Sequence, residues 1–185
     1  RTAQPTHRCA AARRPAVAAA AGGGEGCTGA TDLFRDVGEG AAQALASHFS
    51  QLLLDQFETE RPCLPALALQ TELSGLQNAH AQPQEHLARQ VRALGQDGDI
   101  LLVLSLTGDE SSLIKAVEAA LTKDMTVVAL TVDNNGELSG LLGNTDVELR
   151  VPAHRPARIF ECYAFLLHCV CELIDNTLFP QQDDE

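Results

Sequence analysis

One stretch, residues 99–120 (DILLVLSLTGDESSLIKAVEAA), constrains the fold more than any other part of the chain. Its residues from Ile100 to Leu106 are almost wholly apolar, which is typical of a strand buried on both faces of a parallel sheet. A turn rich in Ser, Thr and Gly follows, and apolar positions at helical spacing then predict a helix. A strand that passes through such a turn into a helix N-terminus can hold an anion, because free backbone N–H groups and the helix dipole both point at the turn.

Strands and helices alternate along most of the chain. This alternation predicts a three-layer α/β/α sandwich with a five-stranded parallel sheet covered by helices on both faces. Arg35 and Asp36 interrupt the first strand, which makes it the weakest of the five. Ligands in such sheets bind at the carboxyl ends of the strands. We predict strands at 33–37, 64–69, 100–106, 126–132 and 147–151, and helices at about 41–57, 83–94, 110–122, 137–142 and 158–178.

Composition excludes several classes of protein. The chain has 185 residues and 45% hydrophobic content, which is enough for one well-buried domain. It has no run of 18 apolar residues, so we expect no membrane span. A net charge of −12 argues against direct binding to nucleic acid, whose phosphates require a basic surface. The six cysteines show no disulfide framework spacing, which indicates reduced thiols and a cytoplasmic location.

Residues 1–30 differ from the rest in composition. They are rich in Ala, Gly and Arg, and they lack an apolar period. A basic, acid-poor segment suits a targeting peptide, although this one lacks a suitable apolar centre. We interpret residues 1–30 as a poorly structured or aberrant segment, produced by truncation, a wrong start or a reading-frame error, and residues 31–185 as one domain.

Several runs of the sequence resemble the SIS (sugar isomerase) domain family, in particular its phosphoheptose isomerase branch and the members that associate with a replication initiator. The resemblance covers about residues 33–184 and implies the α/β fold predicted above and a homotetramer. In the family, two N-terminal helices build much of the subunit interface, and residues 1–30 lack their pattern. The matching runs are 57–69 (FETERPCLPALAL), 90–99 (QVRALGQDGD), 125–131 (MTVVALT), 136–142 (GELSGLL) and 173–180 (LIDNTLFP).

The resemblance identifies the turn after residue 104 as a phosphate loop. In the family this turn reads approximately Ser-Thr-x-Gly-Asn-Ser and binds the phosphate of a sugar phosphate. Ser105 and Gly108 match the pattern and Thr107 supplies its threonine one position later, whereas Asp109 and Glu110 replace the Asn and the second Ser. A carboxylate about 6 Å from a unit negative charge repels it by roughly 3 kcal/mol at an effective dielectric constant of about 20. We therefore expect sugar phosphates to bind weakly.

A second loop, residues 38–42, belongs to the same expected pocket. A Gly-x-Gly sequence alone indicates only a tight strand-to-helix turn. The family loop reads Gly-Asn-Gly-x-Ser, so Gly38 and Gly40 match, Glu39 stands at the Asn, and Ala42 replaces the phosphate-binding Ser. The substitutions remove one hydroxyl donor and add a third carboxylate, which predicts a vestigial pocket.

Two histidines match metal ligands of the isomerases in this family. The resemblance aligns His48 and His168 with two of four ligand positions, but Leu52 and Phe160 stand where the family has Glu and Gln. Two histidines alone bind zinc poorly. We therefore predict no metal and no catalytic residue, with His48 and His168 as hydrogen-bonded interior or interface side chains.

The end of the last predicted helix carries Leu178 and Phe179, followed by Pro180 and the acidic residues of QQDDE. An apolar pair at such a place either docks on its own domain or anchors a partner. The resemblance implies the second, because this segment matches the surface that meets the replication initiator DnaA. The two possibilities make different predictions for stability and binding.

Taken with the resemblance, these features favour a non-catalytic SIS adaptor that binds DnaA, promotes initiation of chromosomal replication and assembles as a homotetramer. An alternative is isomerisation of sedoheptulose 7-phosphate, which would require zinc and a general acid and base beside the sugar carbonyl. A further alternative is a sensor that binds a sugar phosphate without converting it. Only the enzyme hypothesis calls for a cofactor.

Overall fold

A computed structural model describes residues 33–70, 83–133 and 136–180. These residues form one five-stranded sheet in the order β2-β1-β3-β4-β5, and all four strand pairings are parallel. The prediction of an α/β fold with a five-stranded parallel sheet is thus confirmed. The strands are β1 (Phe34–Gly38), β2 (Ala66–Ala68), β3 (Ile100–Leu104), β4 (Thr126–Val132) and β5 (Val147–Val151).

Within the described part of the chain, five helices connect and cover the strands, and a short 3₁₀ turn at Pro83–Glu85 precedes the second of them. The first helix ends at Leu54 rather than at Phe57, because the chain turns at Asp55 and leaves the helical conformation. Among the described helices, none is long and apolar enough to cross a membrane. The predicted segment 1–30 lies outside the described residues. The helices are α1 (Ala41–Leu54), α2 (His86–Leu94), α3 (Ser111–Leu121), α4 (Glu137–Leu141) and α5 (Pro156–Leu178).

Two hydrophobic clusters lie on opposite faces of the sheet. One contains the buried side chains of α1 and α5, and the other contains those of α2, α3 and α4. Strand β3 serves both, because Leu102 and Leu104 belong to the first cluster while Leu101 and Val103 belong to the second. This alternation is the period-2 pattern of a strand, and burial on both faces explains why β3 is apolar throughout.

Strand β1 is fully buried despite its two charged residues. Arg35 forms an ion pair of 2.8 Å with Asp99, which lies just before β3. Asp99 also accepts hydrogen bonds from the backbone N–H groups of Leu33 and Gln96, at 3.0 and 2.9 Å. A buried charge is tolerated when it is paired and hydrogen-bonded. The strand predicted at 33–37 is therefore confirmed, and the two charged residues that interrupt its apolar pattern lie inside a regular strand.

The register of the sheet brings the two predicted pocket loops together. Gly38, the last residue of β1, is paired with Leu104, the last residue of β3. Leu104 is in turn paired with Leu130 of β4. The loop after β1 and the loop after β3 therefore lie side by side at the carboxyl edge of the sheet, where ligands bind in such folds.

Candidate functional site

The loop after β3, here called loop 105–110, folds around its own glutamate. Oε1 of Glu110 accepts hydrogen bonds from the backbone N–H groups of Leu106 and Thr107, at 2.8 and 2.9 Å. Oε2 accepts from the N–H of Gly108 at 3.0 Å and from the hydroxyl of Ser105. Four donors thus converge on one carboxylate, which is the arrangement of an anion-binding nest.

This geometry corrects the expected role of the two acids in the loop. Glu110 does not merely face an anion site, because its carboxylate occupies the donors that such a site would offer. Asp109 is exposed, and its Oδ1 accepts a hydrogen bond of 3.0 Å from the N–H of Glu137 at the start of α4. The two neighbouring carboxylates therefore bond to different partners, and their opposition to a bound dianion stays a prediction.

Close backbone contacts fix the shape of loop 105–110. Gly108 has φ +83°, a left-handed conformation that favours glycine. Its carbonyl accepts a hydrogen bond of 3.2 Å from the N–H of Leu138 in α4. A Cβ added at Gly136 would lie 2.5 Å from the carbonyl oxygen of Gly108, so the two backbones approach too closely for a side chain. The loop after β3 and the start of α4 thus form one packed unit.

Helix α5 contributes one side chain to this loop. The hydroxyl of Tyr163, which is fully buried, donates a hydrogen bond of 2.5 Å to the carbonyl of Ser105. Burial, with a smaller contribution from the charge of Glu110, raises the pKa of Tyr163 above its usual range. Tyr163 is the one tyrosine of the sequence. Its role could not be predicted from the sequence, because a tyrosine on an apolar helix carries no sign of its distant partner.

The loop after β1 is tight and offers fewer donors. A Cβ at Gly38 would lie 2.7 Å from the backbone of Ala42, and Gly40 has φ +55°. Ala42 is fully buried and has no hydroxyl to donate. Desolvation, and then the nearby charge of Glu110, raises the pKa of Glu39. Glu39 and Glu110 therefore interact electrostatically.

The structure brings His48 of α1 and His168 of α5 together. Their Nε2 atoms lie 3.0 Å apart, so one ring donates a hydrogen bond to the other. The ring of Phe57 lies 5.3 Å from that of His168, measured between centroids. Both histidines therefore have a partner, and both reach the surface to some degree.

This pair does not fit zinc, the metal that the family resemblance implies. The family's other two ligand positions hold Leu52 and Phe160, whose side chains have no ligating atom. Within residues 33–70, 83–133 and 136–180, no group of three or more His, Cys, Asp or Glu side chains is arranged to hold a metal. Two imidazoles that bond to each other provide neither the ligand number nor the geometry of a zinc site.

A buried carboxylate beneath α1 was also missed by the sequence analysis. Asp36 of β1 is completely buried, and the hydroxyl of Ser50 in α1 donates a hydrogen bond to its Oδ2. Its Oδ1 has no hydrogen-bond partner among the described residues. Desolvation is larger than the effect of Ser50 and raises the pKa of Asp36 to about 8. The signal in the sequence was a charge inside a predicted strand, which was interpreted as an interruption.

Arg61 ties the ends of α1 and α5 together. Its Nε lies 2.5 Å from Oδ1 of Asp175, and both side chains are largely buried. Its Nη atoms donate hydrogen bonds to the carbonyls of Leu52 and Leu53, at 2.9 and 3.0 Å. These carbonyls belong to the last turn of α1, where backbone acceptors lack helical partners. The arginine thereby fixes α5 three residues before the predicted partner segment.

The predicted partner residues Leu178 and Phe179 end α5 and follow it. Both are half-buried and pack against the hydrophobic cluster of α1 and α5. They are therefore neither free in solvent nor fully enclosed, and part of each side chain stays exposed. The acidic residues 181–185 lie outside the described part of the chain.

The chain is similar to known proteins over most of its length. Residues 6–132 match the family model described as "SIS domain". The chain is 53% identical over 150 residues to "DnaA initiator-associating protein DiaA" of Enterobacter sp. (strain 638), and 52% identical to the protein of that name from Escherichia coli (strain K12 / DH10B). Each alignment covers 80% of this chain and 76% of the relative.

Two solved structures share the fold at lower sequence identity. A phosphoheptose isomerase from Francisella tularensis is 38% identical with a TM-score of 0.74, over 90% of this chain and 88% of that one. The phosphoheptose isomerase GmhA from Neisseria gonorrhoeae is 36% identical with a TM-score of 0.71, over 78% and 77% of the two chains. The chain therefore shares its fold with two proteins named as phosphoheptose isomerases.

Proposed function

This chain belongs to the SIS-domain family, and we propose that it is a non-catalytic adaptor that binds the replication initiator DnaA and promotes initiation of chromosomal replication. The observation that carries the proposal is its 53% identity, over 80% of the chain, to a protein named for association with that initiator. Identity to the two isomerases of known structure is lower, at 36 and 38%. The chain thus matches the initiator-associating relatives better than those enzymes.

The side chains at the site support a role without catalysis. Aldose–ketose isomerisation requires a general acid and base held beside the sugar carbonyl. By the family resemblance, Leu52 stands at the position of the isomerase's Glu and Phe160 at that of its Gln, so the catalytic carboxylate is missing. His48 and His168 bond to each other. These residues leave no group at the expected position that can carry a proton between two carbon atoms.

An enzyme assay separates this proposal from the isomerase alternative. Purified protein, prepared from a host that lacks its own isomerase, is incubated with sedoheptulose 7-phosphate with and without added zinc. We expect no turnover above background in either condition. A variant with Leu52→Glu alone should also be inactive, because catalytic groups that act as a unit are not restored singly. Turnover by the unmodified chain would contradict the proposal.

We place the initiator-binding surface at Leu178 and Phe179. Their half-buried packing supports a rigid position for the two side chains, since a partner then meets groups that are already ordered. Large apolar anchors of this kind commonly contribute about 2 kcal/mol or more to binding. The net charge of −12 disfavours direct contact with DNA. We therefore expect any action of this chain at the replication origin to go through DnaA and not through direct contact with DNA.

The test replaces Leu178 and Phe179 by alanine and measures both DnaA binding and unfolding. We expect the dissociation constant to rise at least about 30-fold, with a modest loss of stability because both residues are only half-buried. The matched control replaces Leu94 and Leu121, which are exposed at the ends of α2 and α3. That control should bind DnaA normally. A destabilised tail variant that still binds DnaA would refute this assignment.

Self-association as a homotetramer and a cytoplasmic location complete the proposal. Phe165 of α5 is 68% exposed, and Leu173 of the same helix is 48% exposed. Apolar side chains left open along one helix support a contact between copies of the chain. Light scattering should report a tetramer, and Phe165→Glu should shift the mass downward. A monomer at all concentrations would contradict this part of the proposal without affecting the test of DnaA binding.

A further inference from the structure

Loop 105–110 is closed by a residue of the same chain. We propose that Glu110 is an internal ligand, whose carboxylate takes the place of an external oxyanion in this loop and thereby excludes phosphate groups. Whether the pocket admits a phosphate group does not depend on the identity of the protein partner. Occupation of the loop by Glu110 also differs from simple charge repulsion, which was the expectation from the sequence.

The donor set supports occupation rather than repulsion. The N–H groups of Leu106, Thr107 and Gly108 and the hydroxyl of Ser105 all bond to the carboxylate of Glu110. A phosphate oxygen would require these same donors, because backbone N–H groups and hydroxyls are what a neutral oxyanion nest offers. Two anions cannot share them at hydrogen-bond distance. Binding of an external phosphate therefore requires Glu110 to leave.

The side chain of Glu110 bonds to this loop and not to the helix that follows it. Glu110 directly precedes α3, where a carboxylate usually caps the free N–H groups of the first turn. Here it makes no side-chain hydrogen bond to the cap of α3, and it reaches back to residues 105–108 instead. The hydroxyl of Ser105 both accepts from the N–H of Gly108 at 2.7 Å and donates to Glu110. The serine thus joins the loop backbone to the internal ligand.

Occupation and repulsion predict different patterns among the three acids of the pocket. A competing internal ligand multiplies the dissociation constant of an external ligand by about the ratio of closed to open loop. Removing the carboxylate of Glu110 should therefore lower the dissociation constant of the external ligand by that whole ratio. Repulsion depends only on charge and distance, so Glu39, Asp109 and Glu110 would then each contribute a similar share. Only Glu110 has its carboxylate on the loop donors.

The first experiment compares three single variants, each of which removes one negative charge. Binding of sedoheptulose 7-phosphate and of inorganic phosphate is measured by titration calorimetry for Glu110→Ser, Asp109→Asn and Glu39→Gln. We expect Glu110→Ser to bind both at least about tenfold more tightly than the unmodified chain. The other two variants should stay within about threefold of it. Equal gains in all three variants, or no gain for Glu110→Ser, would overturn the proposal.

The second experiment needs no substitution, so it remains decisive if Glu110→Ser folds poorly. Amide hydrogen exchange is measured for Leu106, Thr107 and Gly108 in the unmodified chain without any added anion. We expect slowed exchange at all three amides, and exchange that does not change when phosphate is added. Rapid exchange at Leu106 and Thr107, or strong protection that appears only with phosphate, would show an open loop and overturn the proposal.

The same variants keep this inference separate from the proposed function. Glu110→Ser leaves Leu178 and Phe179 unchanged, so it should bind DnaA as the unmodified chain does. Loss of DnaA binding in the tail variant with no phosphate gain in Glu110→Ser would refute the internal ligand alone. A phosphate gain in Glu110→Ser with no DnaA binding by any form would refute the adaptor alone.

Discussion

Buried or partly buried acids are hydrogen-bonded to different extents in two regions of the molecule. One region is loop 105–110, and the other is the side where α1 meets α5. In the loop, four donors and the two oxygens of Glu110 satisfy one another. Beneath α1, Asp36 is completely buried and receives one hydroxyl, while its Oδ1 has no partner among the described residues. The first arrangement surrounds a carboxylate with hydrogen-bond donors, whereas the second leaves one carboxylate oxygen without a donor.

The difference follows from where each acid lies in the fold. The number of donors that converge on a carboxylate depends on which backbone groups around it are already bonded. Glu110 sits at the edge of the sheet among backbone N–H groups that a turn leaves free. Asp36 sits within a strand, where the neighbouring backbone groups already bond to β2 and β3. Polar side chains in strands must therefore find side-chain donors.

The largest expected effect comes from Asp36, and it concerns pH. Its folded-state pKa is raised from 3.8 to about 8, so the folded protein holds a proton that the unfolded chain releases. Its contribution to stability is therefore full below about pH 4 and is lost as the pH rises towards 8. The slope attributable to this group approaches about 1.4 kcal/mol per pH unit. Asp36→Asn should remove that slope in denaturant unfolding measured from pH 5 to 8.

A charge-matched control tests whether the effect belongs to the buried position. Asp109→Asn removes a carboxylate that is exposed, so its pH profile should follow that of the unmodified chain. If Asp36→Asn and the unmodified chain show the same slope, then Asp36 is solvated or fully bonded in solution. The contrast between the two regions would then fail.

A smaller effect is expected for Glu110→Ala, this time on stability at neutral pH. The change removes the carboxylate from four donors, some of which water can reach because Thr107 is exposed. We expect a loss of about 2 kcal/mol, or a fall in Tm of about 6 °C. Glu118→Ala is the matched control, since Glu118 is exposed on α3. A loss no greater than that of the control would mean that the loop does not depend on its internal carboxylate.

The smallest effect should come from the histidine pair. Its Nε2–Nε2 hydrogen bond lies near the surface, where water competes for both rings. A double-mutant cycle with His48→Ala and His168→Ala should give a coupling energy of about 0.5 kcal/mol. Added zinc should not change that value. A coupling above about 2 kcal/mol that appears only with zinc would contradict the conclusion that the pair does not fit the metal.

The sequence allowed most of the fold to be predicted. The limits of β4 and β5 agree with their predicted ranges, because apolar runs bounded by turn residues define strands well. Strand β3 ends at Leu104 rather than at Leu106, since Ser105 and Leu106 already serve the turn. Nothing local could show that Arg35 fits inside β1, because its partner Asp99 lies 64 residues away.

The site was only partly predictable for the same reason. The residue types of the two loops could be identified from the sequence, and the register of β1 and β3 brings those loops together. The direction in which each carboxylate points could not be predicted, because a charge pattern does not show whether an acid faces a ligand or bonds to its own loop. Tyr163 and Ser50 were missed because their partners are fixed only by the packing of α5 and α1.

The order of the elements along the chain has a consequence for synthesis on the ribosome. Helix α5 is the last described element to be made, yet it shares with α1 the cover of one whole face of the sheet. Until Pro156–Leu178 has left the ribosome, the apolar side chains of β3 and β4 on that face lack the cover that α5 provides. Such transiently open surface is prone to aggregation and is a target for chaperones. Nascent chains stalled before α5 has emerged from the ribosome should therefore bind a chaperone. Chains stalled after α5 has emerged should not.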